Sequence, residues 1–126
     1  MSPMILAAIA ALAAATPYYE GIARDAFAAW SFTSGEITFN GPVHTTSVQT
    51  LYTTPTPFNG NPTPVTYSLH TVAFNCQAST ATFISGANYS KSGAMISPAS
   101  PSPATPWSDY TPGFQELAAT VCALKR

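Results

Sequence analysis

The chain has 126 residues, enough for one domain with an adequate core, and 46% of them are hydrophobic, which argues against a disordered polypeptide. Only 7% are charged, against about 25% in an average soluble protein, and the formal net charge is −1. No basic field is present to attract phosphate or anionic lipid, so nucleic-acid binding is disfavoured. Thr, Ser, Ala and Pro fill the usual places of Lys and Glu, which suits an extracytoplasmic, β-rich protein.

Met4 to Ala15, MILAAIAALAAA, is an uncharged apolar run. A bilayer span needs about 20 such residues, whereas about 12 is the length of a signal-peptide core. Ala13-Ala14-Ala15 offers the small-x-small pattern of a cleavage site. Residues 1–15 are therefore read as a signal peptide, although no basic n-region precedes the run, and residues 16–126 as a single domain. The competing reading is a buried Ala-rich helix. No cysteine follows the run to carry an N-terminal lipid anchor.

Residues 19–30, YEGIARDAFAAW, place Ile22, Ala23, Ala26, Phe27, Ala29 and Trp30 on one side of a helix, with Arg24 and Asp25 opposite. A short amphipathic helix is expected, the alternative being an alanine-rich lead into the first strand. From Glu36 to Tyr52 the residues are β-branched and aromatic, and Asn40-Gly41-Pro42 marks a turn. A short strand at 36–40 and a longer one at 43–53 follow, with Ile37, Phe39, Val48 and Tyr52 directed inward. Pro55 to Pro64, PTPFNGNPTP, lacks ladder donors and is expected to be a loop, with Phe58 its one apolar residue.

Val65 to Cys76, VTYSLHTVAFNC, is the strongest strand pattern. Its apolar phase changes between Leu69 and Val72, which calls for a β-bulge near His70-Thr71 or for cover on both faces. Ala81 to Tyr89 returns as a hairpin arm, Lys91-Ser92-Gly93 turns, and Ala94-Met95-Ile96 is a brief strand. SPASPSPATP, residues 97–106, is an irregular connection. In the last segment Phe114, Leu117, Ala118, Val121 and Cys122 form one helical stripe. Thr111 is placed to cap that helix, Pro112 suits its first position, and Glu116, Lys125 and Arg126 carry the signs that oppose the helix dipole.

Two cysteines, Cys76 and Cys122, have no CxxC or Cys/His ligand spacing, so a single disulfide is simpler than a zinc site, and no metal or cofactor is expected. The predicted fold class is α+β, an antiparallel meander of four to five strands with a C-terminal helix packed on it and tied by that disulfide. No nucleophile, metal or phosphate motif occurs. His44 and His70 sit in strand patterns and read as structural, so no catalytic residue is assigned. Asn88-Tyr89-Ser90 matches a glycosylation sequon. Phe58, Trp30 and Trp107 are the candidate partner-binding residues, with core packing as the competing role for the tryptophans.

HTVAFNC, then NYSKSG, then PWSDYTPGFQELAATVC give an order of Cys, Tyr, Gly, Trp, Pro-Gly and Cys. Over residues 65–122 this order resembles the surface-adhesin protein E family of bacterial exported proteins. The resemblance implies an antiparallel sheet with a helix tied to it through Cys76 and Cys122, and an adhesin-like role towards host matrix or envelope proteins. The first half of the chain departs from that pattern. The function expected is an exported, non-enzymatic interaction module, located in the periplasm, on the cell surface or in the medium. The alternatives are a structural or inhibitor-like periplasmic protein without adhesive activity and, third, a small hydrolase.

Overall fold

The computed structural model describes residues 19–58 and 60–125. The segment read as a signal peptide and Arg126 lie outside them. The strands are β1 (Glu20–Arg24), β2 (Ala28–Phe32), β3 (Thr38–Asn40), β4 (Val43–Pro57), β5 (Pro64–Asn75), β6 (Thr80–Tyr89), β7 (Met95–Pro98) and β8 (Thr105–Pro106). Short 3₁₀ turns occupy Ser34–Glu36 and Trp107–Asp109, and among the described residues a single α-helix, α1, spans Pro112–Ala123. All pairings are antiparallel, in the order β1-β2-β4-β5-β6-β7, with β3 also on β4 and β8 also on β6. The result is a curled antiparallel sheet covered by one helix. It keeps the predicted class but has more strands than the four to five expected.

The expected helix at 19–30 is instead the hairpin β1–β2. Ala28, Trp30 and Phe32 alternate inward and pair with Tyr52, Thr50 and Val48 of β4. A period of two, backed by a neighbouring ladder, outweighs the helical spacing that the same alanines allow. The expected loop at Pro55–Pro64 is also shortened, because β4 runs on to Pro57 and pairs Thr56 with Val65 and Pro57 with Pro64. Beyond Tyr52 β2 no longer flanks β4, so a proline's missing N–H leaves no gap on that side.

The phase change in β5 has a visible cause. Thr71 pairs with Ser85 and Val72 with Phe83, so Ile84 is the extra residue of a bulge in β6. Val65 and Val72, of opposite parity, are both fully buried, which means that β5 is covered on each face in turn.

The core joins Trp30, Phe32, Val48, Val72 and Phe74 of the sheet to Phe114, Leu117, Ala118 and Val121 of α1. The predicted helical stripe is thus the buried one, with Cys122 at its half-buried border. The sulfurs of Cys76 and Cys122 are bonded, with 5.6 Å between the α-carbons, so the disulfide joins the turn after β5 to the last turn of α1. The predicted dipole partners are displaced: α1 has no acidic residue in its first turn and no basic residue in its last. Thr111 takes the cap backbone conformation, but its hydroxyl makes no cap bond.

Candidate functional site

The cap of α1 comes from the far end of the chain. Asp25, at the β1–β2 turn, accepts N–H bonds from Phe27 (2.8 Å) and Ala28 (3.2 Å) through Oδ1, an Asx-type turn. Its Oδ2 accepts the Gly113 N–H at 2.7 Å, satisfying one of the orphan donors of the helix start. Residue 113 must be glycine here, since an added Cβ would lie 2.5 Å from the Trp30 ring and 2.8 Å from Asp25 Oδ2. Desolvation raises the Asp25 pKa, but the Thr111 hydroxyl and the N–H groups of Gly113, Phe27 and Ala28 outweigh it and hold the carboxyl below its ordinary 3.8. The Thr111 hydroxyl faces this carboxylate without reaching ordinary hydrogen-bond geometry.

Docking the hairpin against the helix start encloses a pocket of about 340 Å³. Phe27 and Trp30 form one wall, Thr50, Tyr52, His70 and Phe83 the sheet floor, and Asp109, Tyr110, Thr111 and Phe114 the opposite rim. The rings pack on one another: Phe27 meets Tyr52 edge-on at 5.5 Å, Trp30 meets Phe114 at 6.2 Å, and Tyr110 lies 4.4 Å from Phe114. His70 stands edge-on to Phe83 at 4.9 Å. Gly86 backs this imidazole, and a Cβ there would come within 2.5 Å of His70 Cδ2.

Most polar groups of the floor are satisfied. Tyr52 OH and Ser68 Oγ share a 3.0 Å bond, Ser68 Oγ donates to Asn88 Oδ1 at 2.6 Å, and Asn88 Nδ2 donates to Ser97 Oγ at 3.2 Å. Burial pushes the Tyr52 phenol up, partly offset by Ser68. Asn88 is only 3% exposed and its amide is engaged, so the sequon is closed to modification. Two polar atoms of the pocket residues are not satisfied: His70 Nδ1 and Thr111 Oγ1 are buried without a hydrogen-bond partner. Burial lowers the His70 pKa below 6.5, which keeps the ring neutral at neutral pH.

Of the predicted partner-binding residues, Trp30 lines this pocket and Phe58 adjoins it, edge-on to Tyr52 at 5.5 Å. Trp107 packs against the core instead and does not line the pocket. Its indole N–H is buried without a partner. Phe27, exposed over half its surface, had been assigned to a helix face, and Tyr52 to the interior. Asp109 and Tyr110 carry no sequence signal beyond proximity to the helix start, and Thr111 is marked there only as the helix cap.

A second cluster surrounds the disulfide. A ring nitrogen of His44 and the two sulfurs of Cys76 and Cys122 lie within 4.8 Å of one another. His44 Nδ1 is 3.2 Å from the Val121 carbonyl, which can only accept, so the bond fixes a proton on Nδ1. Sulfurs bonded to each other are not thiolate ligands, and in this state the trio packs the helix end.

No helix among the described residues is long and apolar enough to cross a membrane. Sheet and pocket define a disulfide-tied α+β protein with an aromatic cleft beside its helix. Comparison with protein-family models, curated proteins and solved structures finds no match.

Proposed function

We propose that this chain is an exported, non-enzymatic binding module of the bacterial envelope or the extracellular medium, similar in role to surface-adhesin protein E-like proteins. The observation that carries the reading is the cleft in which Phe27 is exposed and Tyr52, Phe83 and Tyr110 are half-buried over the buried Trp30 and Phe114, beside a helix that a disulfide fastens down. A disulfide persists in an oxidising compartment, and concave aromatic surfaces with a few polar groups are where ligands bind. Among the described residues no carboxylate is bonded to His70 Nδ1, so the ring lacks the orienting partner of a Ser-His-Asp arrangement. Proteins of the envelope or of a host matrix are the partners proposed.

The test is expression from the native leader, followed by cell fractionation and intact mass of the product. The reading expects the chain in the periplasm, at the surface or in the medium, shortened at its N-terminus and lighter by two hydrogens than its reduced form. A cytoplasmic product of full length with two free thiols overturns it.

A further inference from the structure

We propose that, with its bridge open, the chain holds one divalent cation of the zinc class between the Cys76 and Cys122 thiolates and the His44 imidazole. The site goes beyond the binding-module reading and does not depend on it, because it belongs to the reduced chain. His44 comes from β4, Cys76 from the turn after β5 and Cys122 from the last turn of α1, so the fold brings together three residues that no short spacing announces.

The histidine is held as a metal ligand is held. Its Nδ1 donates to the Val121 carbonyl at 3.2 Å, the kind of backbone anchor that fixes tautomer and ring orientation in ligating histidines. The lone pair is then on Nε2, which takes no hydrogen bond among the described residues and, unlike His70 Nδ1, is not shut off from water. A cleft of about 400 Å³ reaches the trio, lined by Phe39, Gly41, His44, Cys122, Leu124 and Lys125. It gives the ion an entry path and leaves room for a water as fourth ligand, as in zinc sites with three protein ligands. Two thiolates cancel the charge of a divalent ion, so the half-buried position takes on no net charge. The carbonyl end of α1 favours a cation, and the Lys125 ammonium on the cleft rim favours the thiolate form of the cysteines.

Zinc–sulfur bonds of about 2.3 Å and zinc–nitrogen bonds of about 2.0 Å put tetrahedral ligand atoms about 3.5–3.8 Å apart. A His44 ring nitrogen and both sulfurs already lie within 4.8 Å of one another, so the imidazole has about 1 Å to close. The sulfurs part by rotation about the Cα–Cβ bonds, with the α-carbons 5.6 Å apart. Opening the bridge takes two electrons and two protons from a dithiol, which closes to its own disulfide and leaves Cys76 and Cys122 as thiols. The cation then displaces both thiol protons to solvent as the two metal–sulfur bonds form.

The experiment compares the full chain in its oxidised and dithiol-reduced forms, the dithiol removed without oxygen, with Zn²⁺ and Co²⁺ as probes. The reduced chain should take up one ion by native mass, and its Co²⁺ form should show thiolate-to-metal absorption and the visible bands of a tetrahedral site. The oxidised chain should bind at least about tenfold more weakly, since it offers no thiolate. On adding Zn²⁺ the ring signals of His44 should move while those of His70 stay, a wild-type readout that no folding defect can imitate. His44→Ala should weaken Zn²⁺ at least about tenfold, and Zn²⁺ should raise the thermal midpoint of the reduced wild type until a chelator removes it. No uptake by the reduced chain, equal uptake by both forms, unmoved His44 signals or an unchanged midpoint overturns the proposal. These titrations start from purified chain of set redox state, so failure of the export reading and failure of the metal site are separate results.

Discussion

Replacing Asp25 with alanine tests the link between the first hairpin and the last helix. The substitution removes the acceptor for Gly113 N–H at 2.7 Å and the two turn bonds to Phe27 and Ala28. Loss of a helix cap costs about 0.5–2 kcal/mol. The turn bonds face water and add a few tenths each, so the total is about 2 kcal/mol. At about 4–8 °C per kcal/mol for a domain near 100 residues, the thermal midpoint should fall by about 10 °C. Asp25→Asn retains an acceptor oxygen and should lose about half as much. The sign with pH follows from the lowered pKa: the charged form is favoured in the native state, so the contribution is complete above 3.8 and disappears as pH falls through the native value below it. Thermal melts from neutral pH to well below 3.8 should therefore bring the wild type down to Asp25→Asn at the acid end, while Asp25→Ala stays lower throughout, since neither variant titrates at position 25. Equal midpoints at neutral pH, or a wild-type lead over Asp25→Asn that persists in acid, would refute the capping argument.

Three further outcomes are expected. Replacing both Cys76 and Cys122 with alanine opens a connection of 46 positions, worth about 4 kcal/mol by loop entropy, and should lower the urea midpoint as much as reductant lowers the wild type; a variant curve that coincides with that of the oxidised wild type would refute it. Ser68→Ala strips the buried Asn88 Oδ1 of its donor and the half-buried Tyr52 of its partner, so a loss of about 1–3 kcal/mol is expected in denaturant titrations. His70, whose burial depresses its pKa, binds a proton more readily unfolded than folded, so stability should decline as pH drops below 6.5. His70→Phe should flatten that part of the profile, and an unchanged slope would place its origin elsewhere.

The helix and the disulfide were legible because their signals are local or leave little choice: a 3.6-residue stripe from Phe114 to Val121, Pro112 at the first position, and only two cysteines in the chain. The hairpin at 20–32 was misread because Ile22, Ala23, Ala26, Phe27, Ala29 and Trp30 satisfy a helical face equally well; what decides is β4, whose Val48, Thr50 and Tyr52 pair with it. The sequence also placed Asp25 on a solvent face, and nothing within its own segment reveals a bond to residue 113. The pocket was largely hidden for the same reason. Its residues come from the hairpin, three strands and the helix approach; Phe27, Tyr52, His70, Thr111 and Phe114 read in the sequence as face, core or cap positions, and of the lining only Trp30 reads as a partner-binding candidate.

The helix that completes the core follows every strand of the sheet in sequence, so on the ribosome the strands are made before it. Until Phe114 to Val121 emerge, the inner side of the sheet has nothing to lie against, and Cys76 has no mate. A chain halted short of residue 112 would therefore carry an uncovered sheet and a reduced Cys76, and the bridge can close only once the helix has been made.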